Sequence, residues 1–237
     1  MKPVRIILFD LDDTLLHFDD YWTVSMREAL RTFPLTADID LEVLFPVFLE
    51  KDELFHIEWL EGRLDGSEFR RLRFIDTLAA VGVATGREEA DAFERWYWSA
   101  RAPHIPYDTS LIARLQRLAA AYPLGIVTNG TTEDQFNKLN RMGLDMLFTQ
   151  ENVFISDAMG AAKPTPDSYL IPARAFGVRP EEVLFVGDSW QNDVEGPIRQ
   201  GMQAVWMNRK GLPQPAEPKP AAVITDLAEL EELLADR

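Results

Sequence analysis

Residues 4–16 read VRIILFDLDDTLL, an apolar run that ends in three closely spaced carboxylates. The run at 4–9 is too short for a helix and too continuously apolar for a half-exposed strand, so it predicts a buried strand of a parallel sheet. Asp10, Asp12 and Asp13 follow this strand at once, and their negative charges repel one another. We therefore expect the folded protein to supply an interaction that offsets this repulsion.

The same pattern of a short apolar run ending in small or acidic residues recurs along the chain. It predicts six buried strands, at 4–9, 124–128, 153–156, 183–186, 204–207 and 222–224. Segments with helical periodicity lie between them, at 110–121, 133–142 and 167–176. Strands that alternate with helices predict an α/β fold whose core is a doubly wound, Rossmann-like parallel sheet.

Residues 17–101 break this alternation, because no segment there has the pattern of a strand. Helical periodicity is found instead at 21–33, 41–64, 67–81 and 88–100, and the region contains four tryptophans. We expect residues 17–101 to form an inserted α-helical cap domain over the sheet edge where a ligand binds. Residues 1–16 and 102–237 are then the catalytic core, with the proline-rich segment 212–220 as a surface loop.

The composition excludes several classes of function. The 237 residues carry a formal net charge of −15, so we expect neither a nucleic-acid polymer nor a membrane among the partners. The absence of cysteine excludes disulfides, thiolate nucleophiles and cysteine-ligated metals. We find no signal-peptide pattern and no run of about 18 apolar residues, and we expect a cytoplasmic protein. Its expected oligomeric state is a monomer or a homodimer.

Polar residues that follow the predicted strands should meet at one place, because ligands of an open parallel sheet bind beyond the carboxyl ends of its strands. The residues concerned are Asp10, Asp12, Thr128, Lys163, Asp188 and Asp193. Four carboxylates without histidine or cysteine suit a hard cation, of which Mg²⁺ is the first choice. Mg²⁺ would offset the repulsion among them, and it commonly binds a substrate phosphate as well.

Four motifs follow one another along the chain, each at a predicted strand end or helix start. They are DLDDT at 10–14, IVTNG at 126–130, Lys163-Pro164, and GDSWQND at 187–193. With these motifs in this order and a helical insertion after the first, the chain resembles phosphatases of the haloacid dehalogenase-like (HAD) hydrolase superfamily. The resemblance covers nearly the whole chain.

The resemblance implies a role for each motif residue. Asp10 would be the nucleophile that forms an aspartyl-phosphate, and Asp12 would be the general acid and then the base that activates water. Thr128 and Lys163 would stabilise charge on the transferring phosphoryl group. The implied phosphate-binding residues are Asp10, Leu11, Asp12, Thr128, Asn129 and Lys163. The implied metal ligands are Asp10, Asp12 (through its backbone carbonyl), Asp188 and Asp193 (directly or through water).

Asp12 favours phosphoryl transfer over dehalogenation, since dehalogenases of the superfamily lack this second aspartate and a halide leaving group needs no proton. The expected activity is Mg²⁺-dependent hydrolysis of a small phosphomonoester. Residues 128–135 and 205–208 are similar to the pyrimidine 5′-nucleotidase-like branch, which hydrolyses nucleoside monophosphates. The alternatives are a phosphatase of phosphoglycolate or sugar phosphates, a phosphomutase, and a non-catalytic binding protein of the same fold.

Overall fold

The computed structural model describes residues 3–235. These residues divide into two compact units. The helical unit is Asp19–His104, and the sheet unit consists of the described residues up to Phe18 and from Ile105 onwards. Across residues 3–235, every helix is either too short or too polar to cross a membrane.

The sheet unit is built on parallel strands. They are β1 (Ile6–Phe9), β2 (Leu124–Thr128), β3 (Val153–Ile155), β4 (Val183–Gly187), β5 (Gln203–Met207) and β6 (Ala222–Ile224). Their order in the sheet is β3-β2-β1-β4-β5-β6, and every neighbouring pair is parallel. This arrangement confirms the predicted doubly wound parallel sheet.

The strand order reverses between β1 and β4, and open α/β sheets bind their ligands in the crevice at such a point. Phe9 of β1 lies opposite Ile126 of β2 and Val186 of β4. All residues of β1, β2 and β4 are buried, so the crevice is anchored in the core. Asp10 directly follows β1 and Asp188 directly follows β4, so the two residues lie beside each other at this edge.

The helical unit consists of α1 (Trp22–Thr32), α2 (Leu41–Leu60), α3 (Gly66–Ala80) and α4 (Arg87–Arg101). Asp40 and Asp65 cap α2 and α3 by accepting hydrogen bonds from backbone N–H groups of the first turn. The rings of Phe74 and Phe93 are stacked with centroids 4.2 Å apart, and Phe33 contacts both rings edge-on. Several aromatic residues of this unit therefore form its core.

The helices of the sheet unit are α5 (Thr109–Ala121), α6 (Thr132–Arg141), α7 (Ser156–Met159), α8 (Asp167–Ala175), α9 (Gly196–Arg199) and α10 (Leu227–Ala235). Two local features differ from the predicted pattern. Ser156, predicted as the end of a strand, begins α7, and Trp190–Glu195 form a π-helix directly before α9. The segment 212–220 is a largely exposed loop, as predicted.

Gly125 of β2 lies where its neighbours leave no room for a side chain. A Cβ at this position would lie 2.9 Å from Cδ2 of Leu8 and 3.1 Å from the backbone oxygen of Asn152. We expect Gly125→Ala to lower the free energy of unfolding by about 1–3 kcal/mol, because the overpacked strand must shift. Urea denaturation followed by circular dichroism measures this change.

Gly66→Ala is the matched control. Gly66 lies in the first turn of α3, and the atom nearest to its added Cβ is the flexible end of Arg70, 3.4 Å away. This variant should change the free energy of unfolding by less than about 1 kcal/mol. Equal losses in the two variants would contradict the overpacking explanation.

Candidate active site

Three carboxylates lie together at the crevice between β1 and β4. One oxygen from each of Asp10, Asp188 and Asp193 lies within 4.8 Å of the other two, and we call this group the carboxylate cluster. Asp10 follows β1, Asp188 follows β4, and Asp193 belongs to the π-helix. Asp193 is completely buried and Asp10 is 7% exposed, so water screens their charges poorly.

A buried ammonium lies among these carboxylates. Nζ of Lys163 lies 2.8 Å from Oδ1 of Asp10 and 2.7 Å from Oδ1 of Asp193. Burial would lower the pKa of Lys163, but the two carboxylates outweigh burial and hold this pKa above its ordinary value. Lys163 is therefore charged, and it offsets part of the repulsion among the carboxylates.

Asp193 reaches the carboxylate cluster because a glycine lies directly beside it. A Cβ on Gly187 would lie 2.4 Å from the Cβ of Asp193, so this arrangement requires glycine there. The backbone N–H of Ser189 donates a hydrogen bond to Oδ2 of Asp193 at 2.9 Å. The indole N–H of Trp206, in β5, donates to the backbone oxygen of Asp188 at 2.7 Å. These contacts fix the loop after β4 against the sheet.

The turn after β2 supports Lys163 through its backbone. The side-chain amide of Asn129 donates to the backbone oxygen of Lys163 at 3.1 Å and accepts from the backbone N–H of Lys163 at 2.9 Å. The family resemblance implies phosphate binding for Asn129, and this contact with Lys163 was not predicted. Thr128 is buried at the end of β2, directly before Asn129. Two hydrogen bonds therefore join the IVTNG motif to the Lys163-Pro164 motif.

The loop after β1 is held by hydrogen bonds within the loop itself. The backbone oxygen of Leu11 accepts from the N–H groups of Leu15 and Leu16, each at 2.9 Å. Asp13 has a φ of +58°, which is uncommon for a residue other than glycine, and its Oδ1 accepts from the backbone N–H of Phe18 at 2.9 Å. Backbone conformations of this kind occur in tight turns and are enriched at functional sites.

Asp12 lies in the same loop, and its carboxylate contacts α6. Nζ of Lys138 lies 2.8 Å from each carboxylate oxygen of Asp12, and Nε2 of Gln135 donates to Oδ2 at 3.1 Å. Both donors are buried, whereas the side chain of Asp12 is 41% exposed. Neither Lys138 nor Gln135 was among the predicted site residues. Their sequence gives no signal of this role, because polar residues on a helix usually lie on its exposed face, and the structure places both on the buried face of α6.

Two carboxyl groups of the cluster have strongly raised pKa values. Burial raises the pKa of Asp10 to about 8, and the charges of Asp193 and Asp12 act in the same direction. Burial also raises the pKa of Asp188 to about 7, together with repulsion from Asp193 and Asp13. Lys163 opposes both shifts. The protein's own groups therefore leave the carboxylates incompletely compensated.

The carboxylate cluster fits a hard divalent cation. Carboxylate oxygens are the ligands that Mg²⁺ prefers, and the oxygens of Asp10, Asp188 and Asp193 lie close enough together to share one ion. Lys163 compensates only one of their three charges, so a divalent cation would neutralise the remainder. A cation bound there would lower the pKa of Asp10 and Asp188 from these raised values, because it would stabilise their ionised forms.

Comparison with known proteins finds, over most of the chain, the family that the four motifs resemble. The sequence model of the haloacid dehalogenase-like hydrolase family matches residues 4–201. The glyceraldehyde 3-phosphate phosphatase of Pyrococcus furiosus is 31% identical, over 99% of this chain and 94% of that protein. The phosphoserine phosphatase of Thermus thermophilus is 31% identical, over 96% of this chain and 98% of that protein. The HAD-hydrolase YfnB of Bacillus subtilis, solved bound to magnesium, is 26% identical with a TM-score of 0.80, over 98% of this chain and 99% of that chain.

Mg²⁺ should stabilise the protein against heat by binding to the carboxylate cluster. A ligand that binds only the folded state adds about 2.7 kcal/mol to the free energy of unfolding at about 100 times its Kd. We expect the melting temperature of the wild type to rise with Mg²⁺ concentration, and this rise to be largely lost in Asp188→Asn. Differential scanning fluorimetry with Mg²⁺ and with chelator measures both. Asp145→Asn, which removes an exposed carboxylate outside the cluster, should keep the full rise.

Asp188→Asn also tests the raised pKa of Asp188 in the presence of chelator. A carboxyl whose pKa is higher in the folded than in the unfolded state binds more protons when folded. Its contribution to the free energy of unfolding therefore falls as pH rises from 3.8 towards about 7. Asparagine carries no charge, so the stability of Asp188→Asn relative to the wild type should rise between pH 3.8 and about pH 7 and level off above that. A difference in melting temperature that does not grow with pH would contradict the shift.

Proposed function

This chain belongs to the haloacid dehalogenase-like hydrolases, and on that premise we propose that it is a Mg²⁺-dependent phosphomonoester hydrolase that acts through an aspartyl-phosphate. The observation that carries the proposal is the buried pair of Asp10 and Lys163, in which Oδ1 and Nζ lie 2.8 Å apart. Phosphoryl transfer to a protein carboxylate needs a nucleophile and positive charge at one place. The relatives named as phosphatases support the same reaction type.

The proposed reaction has two steps. A carboxylate oxygen of Asp10 attacks phosphorus, and the bond from phosphorus to the ester oxygen breaks. Asp12 gives its proton to the departing oxygen, so the alcohol leaves as a neutral molecule. Asp12, now ionised, takes a proton from a water molecule whose oxygen attacks phosphorus. The bond between phosphorus and Asp10 breaks, inorganic phosphate is released, and both aspartates return to their starting states.

The groups around Asp10 stabilise charge on the phosphoryl group in this proposal. Lys163 supplies an ammonium, Thr128 supplies a hydroxyl, and Leu11 and Asn129 supply backbone N–H groups. A divalent cation would supply Lewis-acid charge towards a phosphate oxygen when held by the carboxylate cluster and the backbone oxygen of Asp12. All of these residues belong to the sheet unit.

Asp12 favours phosphoryl transfer over halide displacement, because an alkoxide needs a proton to leave and a halide does not. It lies two residues after the nucleophile, and its charge acts on Asp10. A phosphomutase would use the same residues but would return the phosphoryl group to a sugar. The release of inorganic phosphate therefore separates the two reactions.

Small phosphomonoesters with a three-carbon skeleton are the first candidate substrates. Glyceraldehyde 3-phosphate and phosphoserine, which appear in the names of two relatives, both belong to this class. Several aromatic rings of the helical unit pack against one another, so they add no support to the nucleotide substrate predicted from residues 128–135 and 205–208. The role of the helical unit as a cap, the cytoplasmic location and the oligomeric state stay predictions.

Replacement of Asp10 tests the proposed nucleophile. With Mg²⁺, the wild type should release phosphate from 4-nitrophenyl phosphate, and chelator should abolish this turnover. Asp10→Asn should lower kcat by at least about 1,000-fold, because the amide cannot form the acyl phosphate. Asp145→Asn should retain wild-type turnover. Persistent activity in Asp10→Asn would refute the nucleophilic role, and a wild type without turnover would favour a non-catalytic binding protein.

A substrate panel tests the proposed specificity. We expect kcat/KM to be higher for three-carbon phosphates, including glyceraldehyde 3-phosphate and phosphoserine, than for nucleoside 5′-monophosphates, phosphoglycolate and hexose phosphates. Colorimetric detection of released phosphate measures all of them in the same way. A preference for nucleoside monophosphates would restore the nucleotidase prediction. Interconversion of sugar phosphates without free phosphate would indicate a mutase.

A further inference from the structure

We propose that Lys138 and Gln135 are positioning residues that aim the carboxyl group of Asp12 at the leaving group of the substrate. This inference rests on the proposed function, in which Asp12 is the general acid and base. It adds two residues of α6 to the four motifs that carry that function. Neither residue touches the reacting atoms in this proposal, and both act through Asp12.

The contacts to Asp12 are directional and come from one rigid element. Lys138 Nζ lies 2.8 Å from both carboxylate oxygens, and Gln135 Nε2 donates to one of them at 3.1 Å. The two donors stand three residues apart on α6, on the same face of the helix. A half-exposed aspartate without such contacts would sample several rotamers. Three contacts to one carboxylate select a single orientation.

Both donors are themselves held in place. Gln135 Nε2 also donates to the backbone oxygen of Asn129 at 2.9 Å, and Lys138 forms an ion pair with Asp134 at 3.2 Å. Gly130 makes this approach possible, because a Cβ at its position would lie 2.4 Å from Nε2 of Gln135. The turn after β2 thus braces α6 against the loop that carries Asp12.

The burial of these charges argues for a role beyond stability. Lys138 and Asp134 are both buried, and a buried ion pair often adds little or nothing to stability compared with apolar residues of similar size. The Lys138 ammonium meets a carboxylate that is itself half exposed at the crevice edge. Asp12 must stay accessible to the substrate, so its ion pair with Lys138 fits a positioning role better than a role in core packing.

The test compares two aryl phosphates of similar shape whose leaving groups differ in acidity. 4-Nitrophenolate leaves readily without a proton, whereas phenolate depends more on a general acid. We expect Lys138→Met to lower kcat/KM at least about 10-fold for phenyl phosphate and less than about 3-fold for 4-nitrophenyl phosphate. Lys138→Arg should restore part of the selective loss. Arg141→Met removes an exposed positive charge from the same helix and should leave both values unchanged.

The Asp12→Asn background shows whether Lys138 acts through Asp12. Asp12→Asn should show the same selective loss, and Lys138→Met added to it should cause no further selective loss, because residues that act as a unit are not additive. A purely structural role for Lys138 would instead lower kcat/KM for both substrates by the same factor. Equal losses, or a further selective loss in the double variant, would overturn the proposal.

Two more variants keep the test informative if Lys138→Met folds poorly. Asp134→Asn/Lys138→Met removes both members of the buried ion pair, and Gln135→Met removes only the amide contact. Both variants should lose kcat/KM mainly for phenyl phosphate, while circular dichroism shows that they are folded. Folded variants that lack this selective loss would overturn the proposal. Turnover that persists in Asp10→Asn would refute the proposed function itself. If turnover depends on Asp10 but Lys138→Met lowers kcat/KM equally for the two aryl phosphates, only the positioning role is refuted.

Discussion

The main constraint on this structure is electrostatic, because three carboxylates share a small, poorly screened volume at the crevice. Buried charges are costly unless they are paired, and Lys163 supplies a partner for two of the three. Much of the surrounding structure maintains this pairing. Asn129 holds the backbone of Lys163, and Gly187 makes room for Asp193. The compensation is incomplete, as the raised pKa values of Asp10 and Asp188 indicate, and a site of this kind is suited to a cation and a phosphate that bind together.

The strands and the residues at their ends were predictable because both depend on local patterns. Each strand is a short run of mostly apolar residues, and its bounds lie within two residues of the predicted ones. The prediction of burial was wrong for β6, where Val223 is exposed because this strand forms the edge of the sheet. Parallel strands of an α/β sheet place their carboxyl ends at one edge, so Asp10 and Asp188 could be expected near each other without coordinates. Lys163 was expected there as well, because it follows the predicted strand at 153–156, but its contacts with both Asp10 and Asp193 became known only from the structure.

The contacts of α6 and the loop after β4 could not be predicted in the same way. Asp134 and Lys138, four residues apart, have the pattern of an exposed ion pair on a helix surface, and only the tertiary structure shows that both are buried. The π-helix Trp190–Glu195 likewise has no characteristic sequence pattern, although it carries Asp193 into the carboxylate cluster. Side-chain orientation was also unpredictable: the sequence placed Asp12 in the correct loop but did not show that its carboxylate contacts α6.

The hydrogen bond from the Trp206 indole to the backbone oxygen of Asp188 has a consequence for ligand affinity. Trp206 belongs to β5 and is 2% exposed, so the loop after β4 is tied to an element that does not depend on any ligand. The conformational entropy of this loop is therefore lost when the protein folds and not when a ligand arrives. Binding to a preorganised loop retains more of its interaction energy as affinity. The same hydrogen bond limits how far the loop can adjust to a ligand of another size, because its anchor lies in a buried strand.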